Sequence, residues 1–372
     1  MMKQKVIVIC GAWFLFSFLN LLIPERAFSE VENRYLQQRP RASKDEILDG
    51  SYMEQFETWM TDQLVFRDDF VSLKASTDQL LGRGDSGGVY LGREGYLLEM
   101  FTELPEEQLQ KNLDEAASFL KRMEEQGRTV HFLMIPTGAC VMEEKLPAFA
   151  PEINQTELFA KLEQKLPGFV HVEKELIQAQ MQGPLEQQLY YRTDHHWTSL
   201  GAYYAYKAFC EARGKIAPDL SEYEIEVLST EFYGTSYSKA GLYTVKPDTM
   251  TAMYQKDGAS VQIDYGTGEV ENSLYDESFL EKRDKYRVYL KGNYPLTKIT
   301  TSVQNGKRLL LVKDSYANTF VQFLKEDYEE IFMVDLRYFR QSLDEYVEEQ
   351  EITDVLFLYQ IKNFSEDRNF AF

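Results

Sequence analysis

Five short apolar runs, separated by segments with helical periodicity, constrain the fold of this chain more than any other feature. Several of them are apolar at successive positions, so both faces of each strand must be covered by other parts of the protein. Parallel strands meet this demand because their crossover helices pack on both faces of the sheet. The sequence therefore predicts an α/β fold, a three-layer sandwich around a mostly parallel central sheet. The five runs are RTVHFLMIP, GFVHVEK, RLLLVKDS, EEIFMVDL and TDVLFLYQ.

An uncharged segment at the N-terminus, residues 6–23, follows Lys3 and Lys5. As a helix it would be roughly 27 Å long, enough to cross a bilayer. With the lysines on the cytoplasmic side, everything after Pro24 would lie outside the membrane. A cleaved signal peptide, which would make the protein secreted, is the alternative, although RAFSEVE is a poor match to a cleavage site. A buried core helix is a third interpretation.

The remaining chain divides into a stem and one large domain. We expect a signal anchor over residues 1–30 and a helical stem over 31–85, where apolar residues recur at helical spacing from about residue 52 to residue 81. An α/β domain would occupy residues 86–372. It would contain a β-leaning insertion at about 223–302, which is rich in Tyr, Thr, Gly and Ser.

Charge and cysteine content exclude some classes of protein. The 372 residues carry a formal net charge of −20, which argues against sequence-independent binding to nucleic acid. Three cysteines in so long a chain do not form a disulfide framework. Cys140 and Cys210 could pair, but nothing in the sequence requires it. Cys10 lies in the apolar run and is not interpreted as a lipid attachment site.

Two of the four histidines stand together in the stretch RTDHHWTS. In an extended segment, Asp194 and His196 project to the same side with Cβ atoms roughly 6–7 Å apart, so one hydrogen bond can join them. Such a bond fixes the imidazole tautomer that a general base needs. His195 is expected to point the other way. Thr198 or Ser199 can cap the following helix, LGAYYAYKAFCEA.

A nucleophile for this pair is offered by Ser315, where the strand RLLLVKDS turns into a helical segment. Its hydroxyl would emerge at the carboxyl edge of the sheet, where open α/β folds place their sites. Its backbone N–H, near a helix N-terminus, would point at a developing oxyanion. Asp194, His196 and Ser315 together predict a triad for acyl transfer.

Each part of this triad has a structural alternative. Ser315 can be a helix cap, and the Asp194–His196 pair can be a satisfied structural contact. Zinc is a further option, but His195 and His196 are expected to face opposite ways. The other histidines, His131 and His171, fall within predicted strands without ligand spacing. We therefore assign no metal site.

The same residues resemble a known family, the DHHW proteins of Gram-positive bacteria. These are similar to the SGNH-hydrolase-like domains of the alginate O-acetyltransferase family. The D-x-H-W pattern of that family corresponds to Asp194, His196 and Trp197, and its serine block, usually G-D-S, to Lys313-Asp314-Ser315. The resemblance implies an SGNH-like fold and an oxyanion hole that includes the Ser315 N–H, with Asn318 as a further candidate. Other matching stretches are VENRYL, VYLGREGYLLE, FYGTSYSKAG, KDSYAN, MVDLRYF and LFLYQIKNF.

The resemblance also implies a function. The protein would be an extracytoplasmic O-acetyltransferase or acetylesterase acting on a cell-surface polysaccharide, without a soluble cofactor. A membrane-bound O-acyltransferase would supply the acetyl group. The alternative is a non-catalytic envelope scaffold or glycan-binding protein that keeps the fold.

Several residues near the predicted site are candidates for substrate contact. Asp335 and Arg337 would lie at the same sheet edge as Ser315, although they can equally form a structural ion pair. The loop FYGTSYSKAG, with Ser236, Ser238 and Lys239, could form a rim over the site and supply a rival serine. The full set of substrate-binding candidates is His195, Trp197, Asn318, Asp335, Arg337 and Tyr338.

Overall fold

The structure is a computed structural model that describes residue 20, residues 22–184 and residues 187–370. The strands, numbered in chain order, are β1 Phe28–Ser29, β2 Arg34–Tyr35, β3 Asp85–Ser86, β4 Val89–Leu91, β5 Leu97–Glu99, β6 Thr129–Ile135, β7 Phe169–Val170, β8 Tyr223–Phe232, β9 Asp248–Gln255, β10 Val261–Asp264, β11 Val270–Glu271, β12 Leu296–Thr301, β13 Arg308–Lys313, β14 Glu330–Val334 and β15 Asp354–Gln360. The α-helices are α1 Lys44–Asp49, α2 Ser51–Asp62, α3 Arg67–Leu80, α4 Glu106–Glu125, α5 Gly138–Val141, α6 Gln155–Leu162, α7 Val172–Gln182, α8 Ser199–Ala212, α9 Thr235–Ala240, α10 Ala317–Leu324, α11 Leu343–Glu349 and α12 Ile361–Glu366. Short 3-10 helices cover Arg93–Gly95, Glu143–Lys145, Leu220–Glu222, Glu277–Phe279 and Lys285–Val288.

The central sheet has eight strands in the order β11-β10-β12-β14-β13-β15-β6-β7. The five predicted runs form β6, β7, β13, β14 and β15, which are parallel to their neighbours among themselves. β12 pairs antiparallel with β14, and β10 pairs antiparallel with β12 and β11.

The sheet is therefore mixed, with the predicted parallel strands on one side and three antiparallel strands added at the other edge. The three antiparallel strands all come from the region predicted as an irregular insertion. Parallel neighbours need a long crossover between them, usually a helix, whereas antiparallel strands can follow one another through short turns. Between β9 and β13, where every residue is described, the only helices are two short 3-10 helices. No long helical crossover is present in that described region, so β10, β11 and β12 join the sheet as antiparallel strands.

Hydrophobic side chains cover both faces of this sheet. Along β13, Leu309 and Leu311 pack into one cluster and Leu310 and Val312 into another. The first cluster includes residues of α7, α8 and α10, and the second includes residues of α4, α6, α11 and α12. A helical layer thus lies on each face, and the carboxyl ends of the parallel strands form one edge.

The N-terminal part forms three helices, α1 to α3, rather than one continuous stem. The pattern predicted over residues 52–81 is interrupted before α3, where Phe66 adopts a positive φ of 58°. Most of the predicted apolar span, residues 6–23, falls on residues 6–19 and 21, which lie outside the described residues. Within the described ranges, no helix has the length and apolar character needed to span a bilayer. The domain limits given above remain predictions.

Candidate active site

A rigid turn after β13 presents Ser315 at the carboxyl edge of the sheet. The buried carboxylate of Asp314 accepts hydrogen bonds from the Tyr316 backbone N–H at 2.9 Å, from the Gln360 backbone N–H at 2.9 Å and from Asn363 Nδ2 at 2.8 Å. These bonds tie the turn to the end of the neighbouring strand β15 and to α12. Ser315 is consequently held in one place, partly buried, just before α10 begins.

Asp194, His196 and Ser315 form a continuous hydrogen-bonded chain. Nδ1 of His196 lies 2.5 Å from Asp194 Oδ1, and Nε2 lies 2.7 Å from Ser315 Oγ. A carboxylate only accepts hydrogen bonds, so Nδ1 carries the proton and Nε2 is left to accept the serine hydroxyl. This is the tautomer in which a histidine acts as a base toward a nucleophile. The arrangement joins residues that are 119 positions apart in sequence.

The other side of the Asp194 carboxylate is held by the start of α9. Oδ2 accepts hydrogen bonds from the Thr235 backbone N–H at 2.7 Å and from Thr235 Oγ1 at 3.0 Å. Gly234 allows this approach, because a Cβ at that position would collide with the Asp194 side chain. The predicted rim loop therefore supplies the site with Thr235 rather than with a serine. Its two serines are otherwise placed: Ser236 is buried, and Ser238 accepts a hydrogen bond from Arg283.

Burial acts in opposite directions on the pKa values of His196 and Asp194. Burial, together with the neighbouring His195, lowers the pKa of His196 to about 4, against the opposing effect of Asp194. For Asp194, burial alone would raise the pKa, but His195, His196 and the bond from Thr235 together hold it well below its usual range. At neutral pH, His196 is therefore a neutral base beside an ionised carboxylate.

His195 does not point away from His196, which corrects the prediction. The two imidazole rings lie 3.9 Å apart between centroids, and His195 Nδ1 lies 2.6 Å from Thr235 Oγ1. The reason is that residues 192–196 form a series of bends rather than an extended strand, so the alternation of a strand does not apply.

The same correction removes one of the two arguments used above against zinc, namely that His195 and His196 face opposite ways. Ligand atoms of Asp194, His195 and His196 lie within 4.8 Å of one another. The Asp194 and His196 atoms are already joined by the 2.5 Å hydrogen bond, and an ion bound between them would displace its proton. The geometry thus offers an acid–base pair or a metal site, but not both at once.

Two aromatic side chains pack around the site: Trp197, next to His196 in sequence, and Tyr286, far from it along the chain. Trp197 is fully buried, and its Nε1 donates to the Tyr316 backbone carbonyl at 3.1 Å. Trp197, one of the substrate-binding candidates, could on sequence grounds be a core residue, a brace for the histidine or a platform for a sugar ring, and the structure shows it as a core residue. The ring of Tyr286 instead stacks on His196, with centroids 3.8 Å apart and an interplanar angle of 11°. No sequence motif marks Tyr286, which lies in the irregular insertion.

Asp335, Arg337 and Tyr338 do not line the pocket that contains Ser315. The fully buried Asp335 carboxylate pairs with the guanidinium of Arg337 through two hydrogen bonds, at 2.9 and 2.6 Å. The structural ion pair, one of the two interpretations given for these residues, is the arrangement observed. Contact of Asp335, Arg337 and Tyr338 with substrate stays a prediction.

The Ser315 pocket has a volume of about 160 Å³ and is lined by Asp194, His196 and Ser315 together with three asparagines. Of these, Asn318 was predicted, whereas Asn33, from the turn between β1 and β2, and Asn293 were not. Within the described residues, the Ser315 backbone N–H donates no hydrogen bond, so it remains available to an oxyanion. A larger pocket of about 720 Å³ lies elsewhere and includes none of the triad residues.

Cys140 and Cys210, for which the sequence left pairing open, are both free thiols, partly buried at Cys140 and buried at Cys210. Burial and three neighbouring glutamates raise the pKa of Cys140 to about 12. Neither thiol is part of the Ser315 pocket.

Comparison with known proteins gives a family match and a shared fold. A family model described as DHHW protein matches residues 117–334. A crystal structure of a DHHW family protein from Eubacterium siraeum is 24% identical, with a TM-score of 0.63 over 77% of this chain and 94% of that one. The structure of Bacillus cereus PatB1 is 21% identical, with a TM-score of 0.63 over 76% of this chain and 99% of that one. These likenesses show a shared fold.

A curated relative gives a sequence match of a different kind. The protein described as probable alginate O-acetylase AlgJ, from Pseudomonas putida, is 26% identical over 200 residues. The match covers 53% of this chain and 51% of the relative, so the two correspond over about half of their lengths.

Proposed function

Because this chain belongs to the DHHW family, we propose that it is an acyl-transfer enzyme, an O-acetyltransferase or acetylesterase acting on a cell-surface polysaccharide. The observation that carries the proposal is the position of His196, between Asp194 Oδ1 at 2.5 Å and Ser315 Oγ at 2.7 Å. The name of the AlgJ relative, a probable alginate O-acetylase, supports acetyl as the group transferred and a polysaccharide as its acceptor.

The chemistry follows from the hydrogen-bonded chain. Ser315 Oγ attacks the carbonyl carbon of an acetyl donor while its proton passes to His196 Nε2, and Asp194 stabilises the resulting imidazolium. The Ser315 N–H donates to the oxyanion of the tetrahedral intermediate. Collapse of this intermediate expels the donor's leaving group, which takes the proton from His196. A sugar hydroxyl, or water in an esterase, then attacks the acetyl-serine by the reverse sequence and releases Ser315.

The setting of this reaction is part of the proposal. A helix over residues 6–23 would anchor the protein outside the cell membrane, or the domain would be secreted after cleavage. A membrane-bound O-acyltransferase would then deliver the acetyl group from the cytoplasmic side. The proposed steps use only this chain's own residues and need no metal or soluble cofactor.

Hydrolysis of p-nitrophenyl acetate by the purified domain tests the proposal, because water can replace the sugar as acceptor. Ser315→Ala and His196→Gln should each lower kcat by at least about 10³-fold, since nucleophile and base act as one unit. Ser238→Ala, which changes the rival serine, is the matched control and should retain activity. Full activity in folded Ser315→Ala, or its loss on chelation of metal ions, would contradict the proposal.

A further inference from the structure

A buried lysine, Lys313, stands two positions before the nucleophile Ser315 in the sequence. Lys313, the last residue of β13, is 2% exposed, and it stands where the related serine block usually has glycine. Burying a charged amine is costly unless it is paired or hydrogen-bonded. Nζ of Lys313 lies 2.7 Å from Asn293 Oδ1 and 2.7 Å from Asn318 Oδ1. The lysine therefore connects two of the asparagines that line the Ser315 pocket.

The lysine determines which way both amides face. An ammonium group only donates hydrogen bonds, so the oxygen of each asparagine must point at it. Asn318 Nδ2 is then occupied, because it lies 3.1 Å from the Gly292 carbonyl and 3.2 Å from Asn293 Oδ1. This corrects the expectation that Asn318 itself serves the oxyanion.

Asn293 is left with a free donor. Its Oδ1 accepts from both Lys313 and Asn318, while its Nδ2 makes no hydrogen bond in the part of the chain that the structure describes. Asn293 is exposed and lines the pocket together with Ser315. A preorganised amide N–H is the kind of group that stabilises an oxyanion, because its orientation is set before the reaction begins.

We propose that Lys313 is a positioning residue for the proposed acyl transfer, holding Asn293 so that its amide nitrogen joins the Ser315 N–H as a second oxyanion donor. The positive charge behind the amides also favours the negative charge that develops on the acetyl oxygen. Lys313 transfers no proton in this scheme. The inference rests on the proposed function and adds a residue to its site.

The role has a consequence at alkaline pH. Burial lowers the pKa of Lys313 to about 8, with Asp335 and Asp314 acting to raise it and Arg337 to lower it. Above this pH the lysine becomes neutral, and its charge-assisted bonds to the asparagines weaken. We therefore expect the acetylation rate of the wild-type protein to fall above about pH 8.

The experiment measures acetylation of Ser315 and hydrolysis of p-nitrophenyl acetate between pH 6 and pH 10. Lys313→Met and Asn293→Ala should each lower kcat about 10- to 100-fold with KM changed less than about threefold, because they act on the transition state. The double variant should be little slower than either single variant, since both remove the same donor. The alkaline fall seen in wild type should be absent from Lys313→Met.

Controls separate this inference from the proposed function. Lys325→Met changes a lysine at the far end of α10, bonded to the Ala259 carbonyl and Glu326, and should keep both the rate and the alkaline fall. Because Asn293 is exposed, Asn293→Ala tests the donor even where Lys313→Met does not fold. Normal acetylation in wild type with unchanged kcat in Asn293→Ala would overturn the role of Lys313 alone. Absence of any acetylation in wild type would overturn the proposed function and this role together.

Discussion

At the scale of single residues, the surroundings of His196 decide what the site can do. The imidazole is 5% exposed and stacks face to face on Tyr286, so water does not stabilise its charged form. The Asp194 carboxylate offsets part of this cost and fixes the proton on Nδ1. The result is a base that stays unprotonated at neutral pH and accepts a proton once Ser315 begins to react.

The acid limb of the pH profile follows from this environment. Because burial lowers the pKa of His196 to about 4, the base form persists well below the usual histidine range near 6.5. Acetylation of Ser315 should be nearly constant from pH 7.5 to pH 5 and fall to half near pH 4. Single-turnover acetylation at each pH measures it, and a midpoint near 6.5 would contradict the assignment.

Folding must be followed in the same experiment, because the pKa shift also affects stability. The unfolded chain protonates this histidine near pH 6.5, whereas the native protein does so only near pH 4. The unfolded state thus binds more protons in this window, so the stability present above pH 6.5 is lost as the pH falls through it. Circular dichroism at each pH distinguishes loss of the base from loss of the fold.

The sequence was enough to predict the residue types and the spacing of the proposed triad. Asp194 and His196 are two positions apart, and Ser315 follows a run of apolar residues that predicts a strand. Thr235, Tyr286 and Asn293 could not be predicted in the same way. Their contacts with Asp194, His196 and Lys313 arise from packing of segments that carry no periodic or spacing signal.

At the scale of elements, a short N-terminal hairpin contributes to the pocket. Its strands β1 and β2 pair antiparallel, and Asn33 in the turn lines the same pocket as Ser315. The hairpin is fixed to α2 by the buried Asp62, which accepts two hydrogen bonds from Arg34, at 2.9 and 2.5 Å. This hairpin lies outside residues 117–334, the part matched by the family model.

Loosening the hairpin should change which acyl groups fit. Asp62→Ala leaves Arg34 without its bidentate partner, so hydrogen exchange at residues 28–36 should accelerate. The turnover of p-nitrophenyl butyrate relative to the acetate should then rise several-fold as the pocket widens. The control variant Asp68→Ala removes a more exposed ion pair with Arg26. It should lower the free energy of unfolding by less than about 1 kcal/mol. An unchanged butyrate-to-acetate ratio in a demonstrably loosened hairpin would show that the turn does not limit the pocket.

The central sheet contains both strands that sequence patterns predict and strands that they do not. Several of the five runs that became the parallel strands are apolar on both faces, which is a local property. The strands β10 and β12 are short and alternate between buried and more exposed positions, and β11 has only two residues, neither of them buried. Their assignment to the edge of the same sheet depends on partners far along the chain, which composition and periodicity do not reveal.

At the scale of the whole molecule, the proposed anchor would put the pocket near a membrane. Ten positions separate Ile23, the end of the proposed anchor, from Asn33 in the pocket wall. A chain of that length spans at most about 35 Å when fully extended. With residues 6–23 in the bilayer, the pocket would therefore lie within reach of an acetyl donor at the membrane surface. The net charge of −20 disfavours tight binding to an anionic polymer by charge alone.

Peptide mass spectrometry after a short reaction with p-nitrophenyl acetate tests the central claim most directly. It should find one acetyl group on Ser315 in the wild-type protein, none at that position in Ser315→Ala, and slow addition in His196→Gln. An acetyl group on another residue, or none on a folded wild-type protein, would contradict the account of Ser315 as the nucleophile.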